Sequence, residues 1–248
     1  MSELQHPGAR SFDSVAELYE RTRPSYPSDA VAWLVETLRL DGRLVVLDLG
    51  AGTGKLSREL VPFVGRVIAV EPGPAMLGQL ERAVPEAEPV LGAAEAIPLP
   101  DGAVDAVTCG QSFHWFRPDE ALPEIRRVLR RGGGLGLIWN LRDYDDDVQR
   151  EVTALLDPFV PPKRRPVTKS VERLVERSVG EVARARFPFV QELDADALVD
   201  RIASISFVAS ASEGQRRELA EGLRGLAVSR GGRVEFRYTT EVYVTFVV

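Results

Sequence analysis

The chain has 248 residues, 44% apolar and 27% charged, which suits a soluble globular protein of one large α/β domain with insertions, or of a domain plus a small cap. Its 31 basic residues against 37 acidic ones leave a formal charge of −6, with no general attraction for nucleic acid, and a single cysteine, Cys109, excludes an intrachain disulfide or a cysteine zinc cluster. No apolar run approaches the length of a membrane span, so the expected class is a cytoplasmic enzyme or binding protein with neither nucleic acid nor membrane as partner.

In chain order, residues 1–11 read as a loose tail. From Ser11 to Arg23 the pattern FxxVAxLY predicts a short helix, which "RPSYP" breaks with two prolines. Ser28 reads as the N-cap of a helix over Asp29–Leu40, with Val31, Leu34, Val35 and Leu38 at helical spacing. From Leu44 short apolar strands alternate with helical stretches. The strands are "LVVLDLG", "GRVIAVEP", "EPVLG", "VDAVTCG" and "GGLGLIWN", and helices start near Gly54, Pro74 and Pro118. Such alternation predicts a parallel sheet covered on both faces.

After Asn140 come an acidic loop, a short helix and a proline-rich basic link. "RARFPFVQEL" predicts a sixth strand and "DADALVDRIASISF" a helix. Ser212 to Val228 predicts another helix, opened by a Ser212–Gln215 capping box. "RVEFRYTTEVYVTFVV" alternates at period two, as a last strand or hairpin.

The stretch "VVLDLGAGTGKLSREL", Val45–Leu60, is a strand, a glycine-rich turn and a helix start. Three ligands compete for such a turn. An ATP-binding loop, GxxxxGK followed by Ser or Thr, fails twice, because Leu49 stands at the first glycine and Leu56 at the hydroxyl position. The dinucleotide fingerprint GxGxxG fails at Lys55. What stands here is GxGxG, Gly50, Gly52 and Gly54, with Asp48 two residues upstream; an acid there suits a cationic ligand better than a pyrophosphate. Glu71 closes the second strand, where a carboxylate in a doubly wound sheet accepts hydrogen bonds from ribose hydroxyls, and Glu95 follows the third.

This combination resembles the class I S-adenosylmethionine-dependent methyltransferases. "VLDLGAGTGKLS", "VIAVEP", "GAAEAIPLPDGAVDAV" and "VLRRGGGLGLI" match their motifs in order over most of Leu44–Trp139. The resemblance implies S-adenosyl-L-methionine as cofactor. Asp48 would lie near its amino group, and the turn Gly50-Ala51-Gly52-Thr53-Gly54 would let the backbone approach the methionyl portion. Glu71, with Pro72 after it, would hold the ribose hydroxyls, Ala94 and Glu95 would lie near the adenine, and Gly110 and Gln111 would line the sulfonium pocket. Tyr19 or Arg23 would reach the cofactor's carboxylate, or else pack around the prolines on the surface.

"CGQSFHWF" follows the fourth strand, at the end of the sheet where ligands bind. It lacks the (Asn/Asp)-Pro-Pro-aromatic sequence of nucleic-acid N-methyltransferases and resembles small-molecule enzymes related to trans-aconitate methyltransferases. "FDSVAELYERTRPSYP" and "YTTEVYVTF" agree with that subgroup. Tyr26, Phe113, His114, Trp115 and Asn140 are the expected acceptor pocket, with a small-molecule methyl acceptor as partner. His114 is either a base for a hydroxyl acceptor or a local hydrogen-bonding group; a carboxylate acceptor needs no base. The acidic "DYDDD" reads as a solvated loop, and no metal is expected. Cys109 reads as a buried strand residue, since it lacks the Pro-Cys setting of a methyltransferase nucleophile.

The expected fold is α/β, a doubly wound, mostly parallel seven-stranded sheet. An N-terminal lid spans 1–40, the cofactor-binding core 41–141, an α-rich acceptor-pocket insertion containing the sixth strand 142–232, and a strand completing the sheet 233–248. The expected function is methyl transfer to a small organic molecule at oxygen. The alternatives are an NAD(P)-dependent oxidoreductase, against which Lys55 argues, and a non-catalytic binder of the same cofactor.

Overall fold

The computed structural model describes residues 16–160 and 181–246. The expected tail, the start of the first helix before Ala16 and the proline-rich basic link after Val160 lie outside the described residues.

Seven strands form one mixed sheet: β1 (Val45–Leu49), β2 (Arg66–Glu71), β3 (Glu88–Leu91), β4 (Val104–Gly110), β5 (Leu129–Arg142), β6 (Ala183–Asp194) and β7 (Arg233–Phe246), in the order 3-2-1-4-5-7-6. The pairs β1–β2, β1–β4, β2–β3 and β4–β5 are parallel. Strand β1, between β2 and β4, is buried along Val46–Leu49, and β2 along Val67–Glu71, which is why both read as unbroken apolar runs. The connection after β3 returns to the far side of β1, so strand order reverses between β1 and β4. Ligands in open α/β sheets bind outside the carboxyl ends of the strands at such a point. Here those ends are the glycine turn after β1 and Gly110 at the end of β4.

The chain divides into two compact units. One contains residues 25–139, 181–187 and 240–246 of the described chain. Its core gathers Val46, Leu60 and Val67 with Leu34 of α2 (Ser28–Thr37), a helix expected within the N-terminal lid, and with Leu38 at its C-cap. The helices α3 (Lys55–Leu60), α4 (Pro74–Ala83) and α5 (Pro118–Val128) also belong here. The other unit contains 16–24, 140–160 and 188–239. It packs Val152, Leu198, Leu223, Phe236 and Tyr238 among α6 (Asp147–Leu156), α7 (Ala195–Ala203) and α9 (Glu213–Ser229). Its α1 (Ala16–Thr22) is tied to α7 by the Arg21–Asp200 ion pair, 2.7 Å. No helix among the described residues is long and apolar enough to cross a membrane.

Several boundaries differ from expectation for identifiable reasons. Ser28 is the first helical residue of α2 rather than its cap, because Pro27, at φ −56° and ψ 140°, takes the cap position. α2 ends at Thr37, and Arg39 adopts φ +56°. β5 starts at Leu129: its register against β4 jumps from Val104↔Leu129 to Ala106↔Gly134, so "RRGG" bulges between two paired stretches. "DADALVDRIASISF" is split, α7 ending before Ser204 and α8 (Ser206–Ala209) beginning after it. The Ser204 hydroxyl donates to the Arg201 carbonyl, satisfying the last turn locally. β7 is a single strand, and the Ser212–Gln215 capping box opens α9 as expected.

Candidate active site

The backbone amides of Gly50 and Ala51 both donate to the Val70 carbonyl, at 2.8 and 3.1 Å, which bends the chain sharply out of β1 toward β2. Gly50 sits at φ +69°, and a Cβ there would lie 2.7 Å from the Ser112 Cβ and 3.2 Å from the Phe116 ring. The Ser112 hydroxyl donates to the Leu49 carbonyl at 2.7 Å and holds that approach. A Cβ on Gly54 would meet Leu80 and Val84 at 2.9 Å. Two of the three glycines therefore lack side chains to let neighbouring elements close in. At Gly52 alone would a Cβ enter open space, with nothing within 4 Å, so Gly52 is the one that keeps room above the turn. Gly54 supplies the close helix packing that Lys55 denies to the dinucleotide pattern. Thr53 is buried inside the turn, and Ala51 packs against the core.

Glu71 is nearly buried, and its two oxygens accept the Gly52 and Gly73 amides, each at 2.9 Å. These bonds fix the carboxylate and shape the turn together, with Pro72 between the partners. An ionised carboxylate is acceptor-only, with two lone pairs on each oxygen. Asp48 is fully buried. Ser57 Oγ donates to its Oδ2 at 2.6 Å, while Oδ1 has no hydrogen-bond partner. Burial pushes its carboxyl up to about 6, only partly offset by the Ser57 bonds. Cys109 is buried too, its thiol raised well above the usual range by burial and by Asp48, as suits an inert strand residue.

On the adenine side expected from the sequence, Ala94 is buried. Glu95 Oε1 accepts the Arg117 amide at 2.8 Å and so caps the start of α5, a structural task the sequence reading did not give it. At the end of β4, Gln111 adopts φ +58°, uncommon for a residue with a side chain, and its amide donates to the Ile138 carbonyl at 3.0 Å. Tyr26, expected in the acceptor pocket, belongs to the buried core; its hydroxyl stands where a Cβ on Gly110 would be, 2.6 Å away.

Phe113, His114 and Trp115 form a single 3-10 turn after β4. Phe113 is fully buried and meets Phe116 edge-on at 5.7 Å. His114 and Trp115 are partly exposed, with ring centroids 5.0 Å apart. The Nε1–H of fully buried Trp139 donates to His114 Nδ1 at 3.4 Å. Behind Trp139, Tyr243 meets it edge-on at 6.1 Å, and the Tyr243 hydroxyl donates to Glu241. Arg184 and Arg186 hold that carboxylate at 2.9 and 2.7 Å. Burial and the Glu241 contact push Tyr243 up to about 12. Trp139, Tyr243 and Glu241 were not singled out in the sequence, since β7 is far from β5 along the chain. Ser57 and Ser112 were also missed; each is legible only once the neighbouring carboxylate or carbonyl is placed.

The remaining expected residues lie in the other unit. Arg23 bonds Ser204 through both Oγ (2.9 Å) and the carbonyl (3.1 Å), and its guanidinium lies 5.2 Å from the Tyr19 ring centroid. Asn140 is half-buried in β5. In the acidic loop, Asp146 caps α6 through the Gln149 amide and Asp143 accepts the Asp145 amide. Among the described residues no cluster of His, Cys, Asp and Glu could hold a metal ion.

With this geometry in place, comparison with known proteins gives a consistent set of similarities. A family described as "Methyltransferase domain" matches residues 47–137. An uncharacterised methyltransferase of Mycobacterium tuberculosis is 38% identical over 235 residues, 95% of this chain and 93% of that protein. Among solved structures, a candidate type II methyltransferase from Anaeromyxobacter dehalogenans matches with a TM-score of 0.68 at 27% identity, over 91% of this chain and 97% of that one. The malonyl-[acyl-carrier protein] O-methyltransferase of Methylococcus capsulatus is 42% identical over 96 residues, 36% of this chain and 35% of that protein.

Proposed function

Because the chain belongs to the class I methyltransferases and takes S-adenosylmethionine as its cofactor, we propose that it methylates an oxygen, carboxylate or hydroxyl, of a small organic acceptor. The observation that carries this reading is the fixed Glu71 carboxylate on the Gly52 amide, together with a buried Asp48 oxygen that lacks a donor. The trans-aconitate-like "SFHWF" sequence supports a small acceptor, and the partial likeness to an O-methyltransferase supports oxygen.

The residues fit the cofactor. Asp48 Oδ1 is an acceptor with nothing to accept, the state an ammonium group relieves. Glu71 has the lone pairs for a ribose diol, and the space above Gly52 admits a close approach to the backbone. When bound, the cofactor supplies an already activated methyl group on a sulfonium. The chain's own task is then to bind, orient and exclude water. We assign the turn 50–54 and Asp48 to the methionyl end, and Glu71 with Pro72 to the ribose. Ala94, and Glu95 from its place at the start of α5, are assigned to the adenine side, and Gly110 and Gln111 to the reacting edge. His114 and Trp115 are assigned to the acceptor. Tyr19 and Arg23 are assigned to the cofactor's carboxylate and Asn140 to the acceptor on sequence resemblance alone.

Calorimetric titration with S-adenosylhomocysteine, NAD and ATP tests the reading, followed by assay of S-adenosylhomocysteine formation over a panel of small carboxylic acids, alcohols and phenols. Binding of S-adenosylhomocysteine alone and turnover with an oxygen acceptor is the expected result. Binding without turnover on any acceptor favours a non-catalytic binder, and turnover confined to amines would overturn the oxygen assignment.

A further inference from the structure

We infer that Arg201 anchors a binding site for a small organic carboxylate within the unit that contains α7. Arg201 stands on the buried face of that helix beside Leu198 and Ile202, and only 4% of it is exposed. A guanidinium keeps its proton, so it cannot relieve burial by becoming neutral as a lysine or histidine can; it needs a countercharge. Among the described residues it forms no ion pair. The acids of its own helix are engaged elsewhere. Asp194 accepts the Ala197 amide at the helix start, Asp196 pairs with Arg224 at 3.0 Å and Asp200 with Arg21 at 2.7 Å. Both of those arginines are more than half exposed, while the buried one is left without an acid.

The surroundings of the guanidinium point to the kind of anion. Its Nε–H donates to the Tyr238 hydroxyl at 2.8 Å, and its carbon lies 5.7 Å from the Tyr238 ring centroid and 5.9 Å from that of Phe236. The rings stabilise a cation through their faces but offer no lone pair to its hydrogens. Nη1 is enclosed and has no hydrogen-bond partner. A water would satisfy a hydrogen there without bringing charge. With Nε on Tyr238, the Nη1–Nη2 edge remains, a planar fork that the two oxygens of a carboxylate match. A phosphate dianion would ask for more donors than this one edge and one hydroxyl supply. The aromatic walls suit an apolar body behind the carboxylate.

Entry falls to Gln191. This half-buried side chain accepts from the Tyr238 hydroxyl at 3.5 Å and donates to the Thr22 carbonyl at 3.3 Å, both near the outer limit of a hydrogen bond. Turning it outward breaks only these two weak contacts and releases the Tyr238 proton to the incoming carboxylate. The site stands on these contacts whether or not the protein transfers a methyl group.

The probe is para-bromobenzoate, added to the full chain without cofactor. The thermal midpoint should rise with the probe and not with the same concentration of sodium chloride. In co-crystals the anomalous signal of bromine should place the probe with its carboxylate on Arg201 and Tyr238. Arg201→Met should abolish the rise and leave the midpoint without probe unchanged or higher, because apolar packing replaces an unpaired buried charge. An arginine with a purely structural role would lower it. Tyr238→Phe keeps the charge and should weaken the probe by about threefold to tenfold, the loss of one hydrogen bond. No rise above the chloride control, or bromine bound only away from Arg201, overturns the inference even if Arg201→Met fails to fold. S-Adenosylmethionine, added last, separates two sources of the carboxylate. Formation of the methyl ester identifies it as the methyl acceptor, and binding without ester identifies it as a separate ligand of the same site.

Discussion

Ser57 Oγ donates to Asp48 Oδ2 at 2.6 Å, while the other oxygen of the same buried carboxylate meets no donor. The carboxyl consequently sits at about 6 instead of 3.8, with desolvation as the main cause. A carboxyl raised in the fold binds its proton more tightly than in the unfolded chain. Its contribution to stability is greatest below about pH 4, falls as pH rises to about 6, and is level above that. The full difference is on the order of 3 kcal/mol. Asp48→Asn removes this titration. Its unfolding free energy, measured by urea at about pH 4.5 and 7.5, should gain on the unsubstituted protein by roughly 2 kcal/mol across that window. S-Adenosylhomocysteine binding should weaken by about tenfold or more, since the neutral amide cannot pair with an ammonium. An unchanged pH dependence would show that Asp48 does not titrate in this range.

Glu71 does two jobs, shaping the turn through Gly52 and Gly73 and, on our assignment, accepting the ribose hydroxyls. Glu71→Ala loses both, and calorimetry should register at least about a tenfold rise in the S-adenosylhomocysteine dissociation constant. Glu71→Gln separates the two jobs. Its amide oxygen can still accept one backbone N–H, so the thermal midpoint should recover more than the affinity does. Equal recovery of both would assign Glu71 to scaffolding alone.

Much of the architecture was legible because β1, β2 and β4 are buried apolar runs separated by helical periodicity, a pattern that local sequence carries directly. The turn and its two acids were legible for the same reason: Asp48, Gly50–Gly54 and Glu71 are ordered by short spacings. The purposes of individual glycines were not. Whether Gly54 faces a ligand or Leu80 depends on where α4 packs, and Gly50 is set by Ser112 from beyond β4. The same holds for Trp139, Tyr243 and Glu241, which converge only after β7 is laid beside β5. Glu95 shows the opposite case, a residue legible by motif whose carboxylate is also engaged at a helix start.

Gly50→Ala should be among the most damaging small substitutions in the core. The added methyl would lie 2.7 Å from the Ser112 Cβ at a backbone φ of +69°. Overpacking of this kind costs roughly 1–3 kcal/mol, with about 1 kcal/mol more for the left-handed backbone. Adding Ser112→Gly to Gly50→Ala removes the close carbon and should return part of the loss in a urea midpoint series. The backbone strain, and the loss of the Ser112–Leu49 hydrogen bond, should remain. No recovery at all would place the whole penalty in the backbone.

Tyr243 offers a way to separate the two contacts that hold Trp139. Its ring packs against the indole, while its hydroxyl donates to Glu241, and with its ionisation raised to about 12 it stays a donor through the physiological range. Tyr243→Phe keeps the ring and removes the hydroxyl. Glu241 retains Arg184 and Arg186, so the carboxylate is not stranded, and the expected loss is about 1.5–3 kcal/mol for a hydrogen bond to a charged group. Tyr243→Ala removes the ring as well and should cost about 3–5 kcal/mol, the range for truncating a buried aromatic. A scalar coupling between the Trp139 and His114 nitrogens across their hydrogen bond, read by nitrogen-15 NMR, distinguishes the two variants further. It should persist in Tyr243→Phe, where the indole is still backed by a ring, and weaken in Tyr243→Ala, where a cavity lets the indole move away from His114. Equal coupling in both variants would show that β5 alone fixes Trp139.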